Sequence, residues 1–300
     1  MKNGSLIKIY LKLLLTAIFW GGTFIAGKVV ARDIGPFSAA FLRFAIASGF
    51  LLLFTWKTEG GFPSIKRGQI LRVLLLGMTG VFAYNVFFFK GLKLIDAGRA
   101  SLIIANNPVF ITLFSALIFK EKLNLLKVGG IIISIIGAMI VISKGDITGI
   151  LNSGLGWGEF FIFCCVASWV AYSLIGKAVM SVLSPLVSVC YSCIVGAFGL
   201  FIPACFEGMI HDMFYYSYLE WFSIFYLGFF GTVLGFVWYY EGIKTIGAIK
   251  AGQFINFVPI SAVLLAFIML GETITPSLLV GGIFVISGVY MTNSRFVALK

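Results

Sequence analysis

Long apolar stretches follow one another along the whole chain, separated by short polar connectors. A helix that crosses the hydrocarbon core of a bilayer, roughly 30 Å thick, needs about 20 mostly apolar residues. Ten stretches meet this requirement: 9–31, 35–56, 70–90, 97–119, 125–143, 156–178, 184–206, 219–241, 248–270 and 276–293. They are apolar on every face, which indicates helices and not the alternating strands of a β-barrel. The sequence therefore predicts an all-α integral membrane protein with ten transmembrane helices.

The two halves of the chain repeat one another at a nearly fixed offset. Four residues recur 149 positions later: Trp20, Gly27, Lys28 and Pro36 as Trp169, Gly176, Lys177 and Pro185. Six more recur 151 positions later: Gly91, Lys93, Pro108, Glu121, Gly130 and Gly137 as Gly242, Lys244, Pro259, Glu272, Gly281 and Gly288. Each half holds five predicted helices, so the second copy must enter the membrane from the opposite face. The sequence predicts two inverted five-helix repeats, 1–147 and 148–300, as in many secondary transporters.

Composition and charge agree with a membrane protein. Apolar residues make up 60% of the 300 positions and charged residues 11%, which excludes a soluble globular domain. If the N-terminus is cytoplasmic, that side of the membrane holds 15 Lys and Arg residues and the other side 6. The positive-inside rule then predicts that both termini are cytoplasmic. These basic loops face anionic lipid and account for the net charge of +11, and no nucleic-acid-binding module is recognisable.

Residue types that support catalysis or metal binding do not cluster in the sequence. All five cysteines fall within predicted helices: Cys164, Cys165, Cys190, Cys193 and Cys205. The Cys190-x-x-Cys193 spacing lacks a second pair of ligands, and the single histidine, His211, lies in a loop. There is also no nucleophile with a base and no phosphate-binding loop. We expect no enzyme activity, no metal and no cofactor.

Short motifs in both halves point to a known family. The first half carries Phe19-Trp20-Gly21-Gly22-Thr23-Phe24, Gly35-Pro36, Leu42-Arg43-Phe44, Gly91-Leu92-Lys93, Ala97-Gly98-Arg99-Ala100-Ser101-Leu102 and Asn107-Pro108. The second half carries Gly242, Ala248, Ala251, Pro259, Gly271-Glu272 and Gly281-Gly282. In the order and spacing of these motifs, nearly the whole chain resembles the EamA branch of the drug/metabolite transporter superfamily.

This resemblance implies a ten-helix fold with a central cavity. The first, third, fourth, sixth, eighth and ninth helices would line that cavity. It also implies movement of small metabolites, often the export of amino acids or related compounds. We therefore expect a multi-pass protein of the bacterial cytoplasmic (inner) membrane, with the lipid bilayer and a small-molecule metabolite as its partners.

Polar and aromatic side chains inside the predicted helices mark a candidate substrate path. Hydrogen-bonding groups are costly in hydrocarbon unless they meet a partner or water. The candidate substrate-binding residues are Trp20, Thr23, Tyr84, Asn85, Asn107, Trp169, Tyr172, Trp238, Tyr239, Gln253 and Asn256. An aromatic cavity with amide and hydroxyl groups suits a small amphipathic or zwitterionic solute. Interhelical hydrogen bonds and core packing are the alternative roles.

Charged residues within or at the ends of the predicted helices favour structural roles. We expect Arg43 to form a polar contact between helices, because a lone cation facing lipid would be expensive. Glu121 and Glu272 occupy equivalent positions at the water edge and should share one structural role. Lys90 and Glu241 are also equivalent, but the predicted topology puts them on opposite sides of the membrane. We therefore do not expect Lys90 and Glu241 to pair.

Pro108 and Pro259 are the hinge candidates. Each lies inside a predicted helix at an equivalent position of the two repeats and removes a backbone donor there. The sequence thus favours a secondary carrier of small organic metabolites that exports amino acids or related compounds by alternating access. A lipid or drug efflux carrier and a non-transporting membrane accessory protein are the alternatives. Substrate identity, direction of transport, a coupling proton and the choice between monomer and homodimer stay open.

Overall fold

The computed structural model describes residues 3–119, 123–145, 156–179, 183–246 and 248–293. Within these ranges the regular elements are helices, and we number the ten long segments α1 to α10. The first five are α1 (Asn3–Asp33), α2 (Pro36–Glu59), α3 (Arg67–Leu94), α4 (Ala97–Ile104 and Asn107–Phe119) and α5 (Leu125–Ser143). The second five are α6 (Trp157–Val179), α7 (Pro185–Phe206), α8 (Tyr218–Ile246), α9 (Ala248–Leu270 in consecutive segments) and α10 (Pro276–Asn293).

The predicted all-α membrane architecture is confirmed. Nine of the described helices are long and apolar enough to cross a membrane, and α10 adds a shorter apolar stretch, Pro276–Thr292. The exact number of ten membrane crossings stays a prediction. The helix bounds follow the predicted stretches within a few residues, except that α1 begins earlier, at Asn3, and α8 continues to Ile246.

Four of the helices are interrupted near the middle, which the hydropathy pattern does not reveal. A π-helical segment lies within α3 at Gly77–Ala83 and another within α8 at Phe229–Leu234. Helix α4 breaks in a turn just before Asn107, and α9 passes through a 3₁₀ turn at Phe254–Asn256. Each of these last two breaks precedes one of the candidate hinge prolines. The interruptions thus fall on α3 and α4 of the first half and on α8 and α9 of the second.

The two halves pack against each other through matching helices. Helix α2 packs on α7 and α5 on α10, while α1 contacts α8 and α9, and α3 contacts α6. The backbones of α5 and α10 approach each other closely. A Cβ atom on Gly288 would lie 2.5 Å from the Gly130 carbonyl oxygen, and one on Gly281 would lie 2.7 Å from that of Gly137. Glycines at positions 130 and 137 of α5 thus allow a close approach to α10.

Carboxylates from the opposite half satisfy the free backbone donors at two helix starts. Glu272 accepts the N–H groups of Ala97 and Gly98 at 2.7 and 2.9 Å, at the start of α4. Glu207 in turn accepts the backbone N–H and the hydroxyl of Ser38 in α2 at 2.7 and 2.8 Å. Glu272 thus has the structural role that the sequence predicts, whereas Glu121 lies outside the described residues.

Candidate substrate cavity

A cavity of about 680 Å³ lies between the two halves of the bundle. Its volume falls in the range of about 300–1,000 Å³ that is typical of small-molecule sites. Residues of α1, α3, α4, α6, α8 and α9 line it, as the family resemblance implies, and α2, α7 and α10 contribute as well. The interrupted parts of α3, α4, α8 and α9 all border this cavity. Irregular backbone at membrane depth is tolerated where it lines such a space.

Nine of the eleven predicted substrate-binding residues line the cavity: Trp20, Thr23, Tyr84, Asn85, Asn107, Trp169, Tyr172, Tyr239 and Asn256. Both candidate hinge prolines, Pro108 and Pro259, line it too. Whether these residues touch substrate or act as hinges stays a prediction.

Trp238 and Gln253 are not among the lining residues. Trp238 packs on the ring of Phe19, with 5.6 Å between the ring centroids. The positions of α8 that line the cavity, Phe236, Tyr239, Tyr240 and Ile243, share one face of the helix, and Trp238 falls on the opposite face. Gln253 is exposed, although the preceding Gly252 lines the cavity. We therefore do not place Trp238 and Gln253 at the site.

The repeat-related tryptophans build two aromatic walls of the cavity. The indole N–H of Trp20 donates to the Gly231 carbonyl at 2.9 Å, and its ring lies 5.3 Å from that of Tyr239. On the other side, the Trp169 ring lies 5.1 Å from Tyr84 and 5.2 Å from Tyr172. Flat, rigid rings of this kind offer stacking surfaces for an apolar body.

Arg43 forms a polar cluster in the cavity lining, together with Asn85 and Thr232. The Arg43 side chain donates from Nη1 to the Asn85 amide oxygen at 2.9 Å. Its Nε and Nη2 atoms both point to the Thr232 hydroxyl, at 3.4 and 3.3 Å. Arg43 is only 8% exposed, and Asn85 and Thr232 are each 1% exposed. The predicted interhelical contact exists, but sequence reasoning missed that Arg43 also lines the cavity.

The π-helical segments explain why the Asn85 amide oxygen and the Thr232 hydroxyl oxygen are available to Arg43. The Asn85 amide donates to the carbonyls of Gly80 and Val81 within the α3 segment, at 3.3 and 2.9 Å. The Thr232 hydroxyl likewise donates to the Leu227 carbonyl at 2.9 Å. Since a widened helical turn leaves carbonyls without their usual partner, these side chains satisfy the backbone and keep their own oxygens for the guanidinium.

The two adjacent asparagines of α4 have different environments. The Asn106 amide donates to the Leu102 carbonyl at 3.0 Å, across the helix break, and its oxygen accepts from the Ser134 hydroxyl at 2.6 Å. These contacts give Asn106 a structural role. Asn107 lines the cavity, and its side-chain oxygen has no hydrogen-bond partner among the described residues. Its position on the cavity wall makes the Asn107 amide a candidate contact for a ligand.

Two equivalent positions near the ends of α3 and α8 carry opposite charges with different partners. Glu241 pairs with Lys12 of α1 at 2.7 Å. The Lys90 ammonium instead lies over the rings of Phe37 and Phe161, 5.8 and 5.5 Å from their centroids. Lys90 and Glu241 therefore do not pair, in agreement with the sequence-based expectation. Within the described ranges, no group of three His, Cys, Asp or Glu side chains could hold a metal ion.

The model of the EamA-like transporter family matches residues 7–143 and, a second time, residues 156–294. The chain belongs to the EamA-like transporter family. It is thus a multi-pass membrane protein of a bacterial transporter family. The family and the relatives named below are transporters, and transporters are not enzymes. The orientation of the termini stays a prediction.

Relatives of this EamA-like protein align over nearly its whole length. An uncharacterized transporter of Bacillus subtilis (strain 168), YyaM, is 31% identical over 94% of this chain and 92% of its own. A probable terminal-alkyne amino-acid exporter of Streptantibioticus cattleyicolor is 26% identical over 97% of this chain and 95% of its own. A solved crystal structure with 17% identity covers 95% of this chain and 98% of its own, with a TM-score of 0.63. At that identity the match supports the fold alone.

Proposed function

We propose that this EamA-like protein is a secondary carrier that exports amino acids or related small metabolites by alternating access. The observation that carries the proposal is the cavity of about 680 Å³. Its lining contains aromatic rings and one cluster of a guanidinium, an amide and a hydroxyl group. A small solute with an apolar body and a polar, charged end matches both parts of this lining.

The packing of the two halves supports alternating access. The cavity lies where helices of the two halves meet, and helices of both halves are interrupted beside it. In carriers built from inverted repeats, the substrate site typically lies at the repeat interface, where discontinuous helices meet. Movement of one set of helices against the other would then expose the same site to each side in turn.

Amino acids are favoured as substrates by one relative and by the lining. The Streptantibioticus cattleyicolor relative is described as a probable exporter of an amino acid. In this chain, the Asn107 amide could form a hydrogen bond with a polar group of the substrate, and the tryptophan and tyrosine rings could hold an apolar side chain.

Flux measurements in proteoliposomes test the proposal. We expect saturable counterflow of at least one compound from a panel of labelled amino acids and related metabolites. Asn107→Ala and Trp169→Ala should each reduce this flux, because both residues line the cavity. Trp157→Ala is a matched control, since Trp157 lies on the same helix as Trp169 but is 70% exposed.

The same experiment separates the competing functions. Flux of lipophilic drugs or lipids in place of amino acids would favour an efflux carrier. Absence of flux for every compound, from protein shown to be folded, would contradict a carrier and favour an accessory role.

A further inference from the structure

We propose that Arg43 binds the anionic group of the substrate, so that the cavity selects solutes with a carboxylate beside an apolar body. This inference rests on the proposed transport function and specifies the chemistry of its substrate. It assigns to Arg43 a binding role in addition to the interhelical contacts described above.

The charge balance around Arg43 supports the binding of an anion. A buried charge without a counter-ion is strongly unfavourable in a low-dielectric interior. Within the described ranges, Arg43 makes no ion pair, and its polar partners are an amide and a hydroxyl, both neutral. Arg99 provides the contrast, since it lies 2.8 Å from the Glu159 carboxylate. Glu159 neutralises Arg99, whereas no carboxylate among the described residues pairs with Arg43 on the cavity wall.

The number of hydrogen-bond donors on Arg43 also supports the binding of a carboxylate. A guanidinium has five N–H groups and cannot accept a hydrogen bond. The protein contacts of Arg43 account for one N–H on each of its three nitrogen atoms, and two of the three are long, at 3.3 and 3.4 Å. One N–H on Nη1 and one on Nη2 are left over. A carboxylate can accept from both terminal nitrogens of a guanidinium at once, which is the strongest pairing of these two groups.

The polar cluster around Arg43 has no counterpart at the equivalent positions of the other repeat. The positions equivalent to Arg43, Asn85 and Thr232 are occupied by Ser192, Phe236 and Val81. These three residues also line the cavity. A polar network needed only to hold repeat helices together should occur in both halves, but this one occurs once. Among the described residues that line the cavity, Arg43 is the one charged side chain, so the lining offers an amphipathic anion a single positive charge together with aromatic surface.

The net charge of the cluster favours a carboxylate over a phosphate. Arg43 supplies one positive charge, and its partners Asn85 and Thr232 are neutral. A carboxylate balances one charge, whereas a phosphate monoester carries about −1.5 to −2 at neutral pH and would leave excess negative charge buried.

A set of four related compounds tests the inference by removing one charge at a time: phenylalanine, phenylalaninamide, 3-phenylpropionate and 2-phenylethylamine. Binding to the purified full-length chain is measured as the shift in thermal unfolding midpoint and by competition with labelled phenylalanine. We expect the two carboxylates to bind roughly 10- to 100-fold more tightly than the two compounds without one, as for a hydrogen bond to a charged group. Equal binding of acid and amide, or no binding of either carboxylate by folded protein, would overturn the inference.

Variants distinguish substrate binding from a structural role. Arg43→Gln should abolish the preference for carboxylates and Arg43→Lys should retain part of it. Because Arg43→Gln risks misfolding, Asn85→Asp is the decisive variant: it supplies a carboxylate about where Oδ1 now lies, 2.9 Å from Nη1. This variant gives up the amide donations to Gly80 and Val81, so its folding is checked by thermal unfolding beside Arg43→Lys, and folded Asn85→Asp protein should lose carboxylate binding. Unchanged carboxylate binding in Asn85→Asp would show that Arg43 is only structural.

The test also includes a control variant for binding and a comparison of carboxylate binding with counterflow. Arg72→Gln removes an exposed arginine outside the cavity and should leave binding unchanged. Carboxylate binding without counterflow of any compound would count against the proposed transport and leave the assignment of Arg43 intact. Counterflow of acid and amide at equal rates would support the proposed transport and count against the assignment of carboxylate binding to Arg43.

Discussion

Glu272 shows how a single side chain fixes the start of a helix in the opposite half. Its carboxylate accepts the two N–H groups of Ala97 and Gly98, where the positive end of the α4 dipole lies. We expect Glu272→Gln to lower the free energy of unfolding by about 1–3 kcal/mol, since the amide keeps only one, uncharged acceptor oxygen and turns an NH2 donor toward the other backbone N–H. Thermal unfolding in detergent measures this effect. Asp33→Asn, at an exposed acid, should leave the unfolding midpoint unchanged, and equal shifts for both variants would contradict the capping role.

At the residue scale, sequence reasoning identified which side chains are unusual but not which way they point. Asn106 and Asn107 have the same chemistry and adjacent positions, yet one satisfies backbone carbonyls and the other borders the cavity. The break in α4 decides between them, and a regular helical period cannot locate that break. Arg43 was recognisable from its charge inside an apolar stretch, but its place on the cavity wall depends on packing between α2, α3 and α8.

The contact between α5 and α10 depends on glycine at defined positions. A Cβ atom at Gly137 would lie 2.6 Å from the Val285 nitrogen and 2.7 Å from the Gly281 carbonyl oxygen. Backbone atoms cannot yield as a flexible side chain can, so Gly137→Val must separate the helices. We expect a loss of at least about 2 kcal/mol in the free energy of unfolding, measured in detergent.

Gly129 provides a control on the same helix. A Cβ atom there would meet only the end of the Met291 side chain, at 3.7 Å. Gly129→Ala should leave stability unchanged or raise it by up to about 1 kcal/mol, because alanine favours the helix. A similar loss in both variants would show that glycine content, and not close contact, is responsible.

At the scale of elements, the helices were predictable and their interruptions only partly so. Hydropathy located the helices because a bilayer requires long apolar runs. The prolines Pro108 and Pro259 signalled the breaks in α4 and α9, since proline removes a backbone donor. No comparable signal in the sequence marks the π-helical segments of α3 and α8, which consist of apolar residues, glycines and one threonine each. Those segments position Asn85 and Thr232, so the polar cluster around Arg43 was not predictable.

At the scale of the whole molecule, helices of the two halves meet in two equivalent contacts, one between α1 and α8 and one between α3 and α6. Gly242 of α8 packs on Leu13 of α1, where a Cβ atom would lie 2.6 Å from the leucine side chain. Gly91 of α3 packs on Ile162 of α6 in the same way, at 2.5 Å. Leu13 and Ile162 are 149 residues apart, and Gly91 and Gly242 are 151 apart, as in the sequence repeat. Because five helices lie between the start of α1 and that of α6, these contacts belong to opposite faces of the membrane if every helix crosses it.

If the protein works by the proposed alternating access, we expect each of these two contacts to open in turn. In a variant without native cysteines, we expect the pair Leu13→Cys and Gly242→Cys to stop counterflow when it is oxidised to a disulfide. The pair Gly91→Cys and Ile162→Cys should do the same from the other face, and a reducing agent should restore both fluxes. Each single-cysteine variant, oxidised in parallel, controls for damage by the oxidant. If flux continued with both pairs fully cross-linked, helices α1, α3, α6 and α8 would not separate during transport, and substrate would have to pass through the bundle by another route.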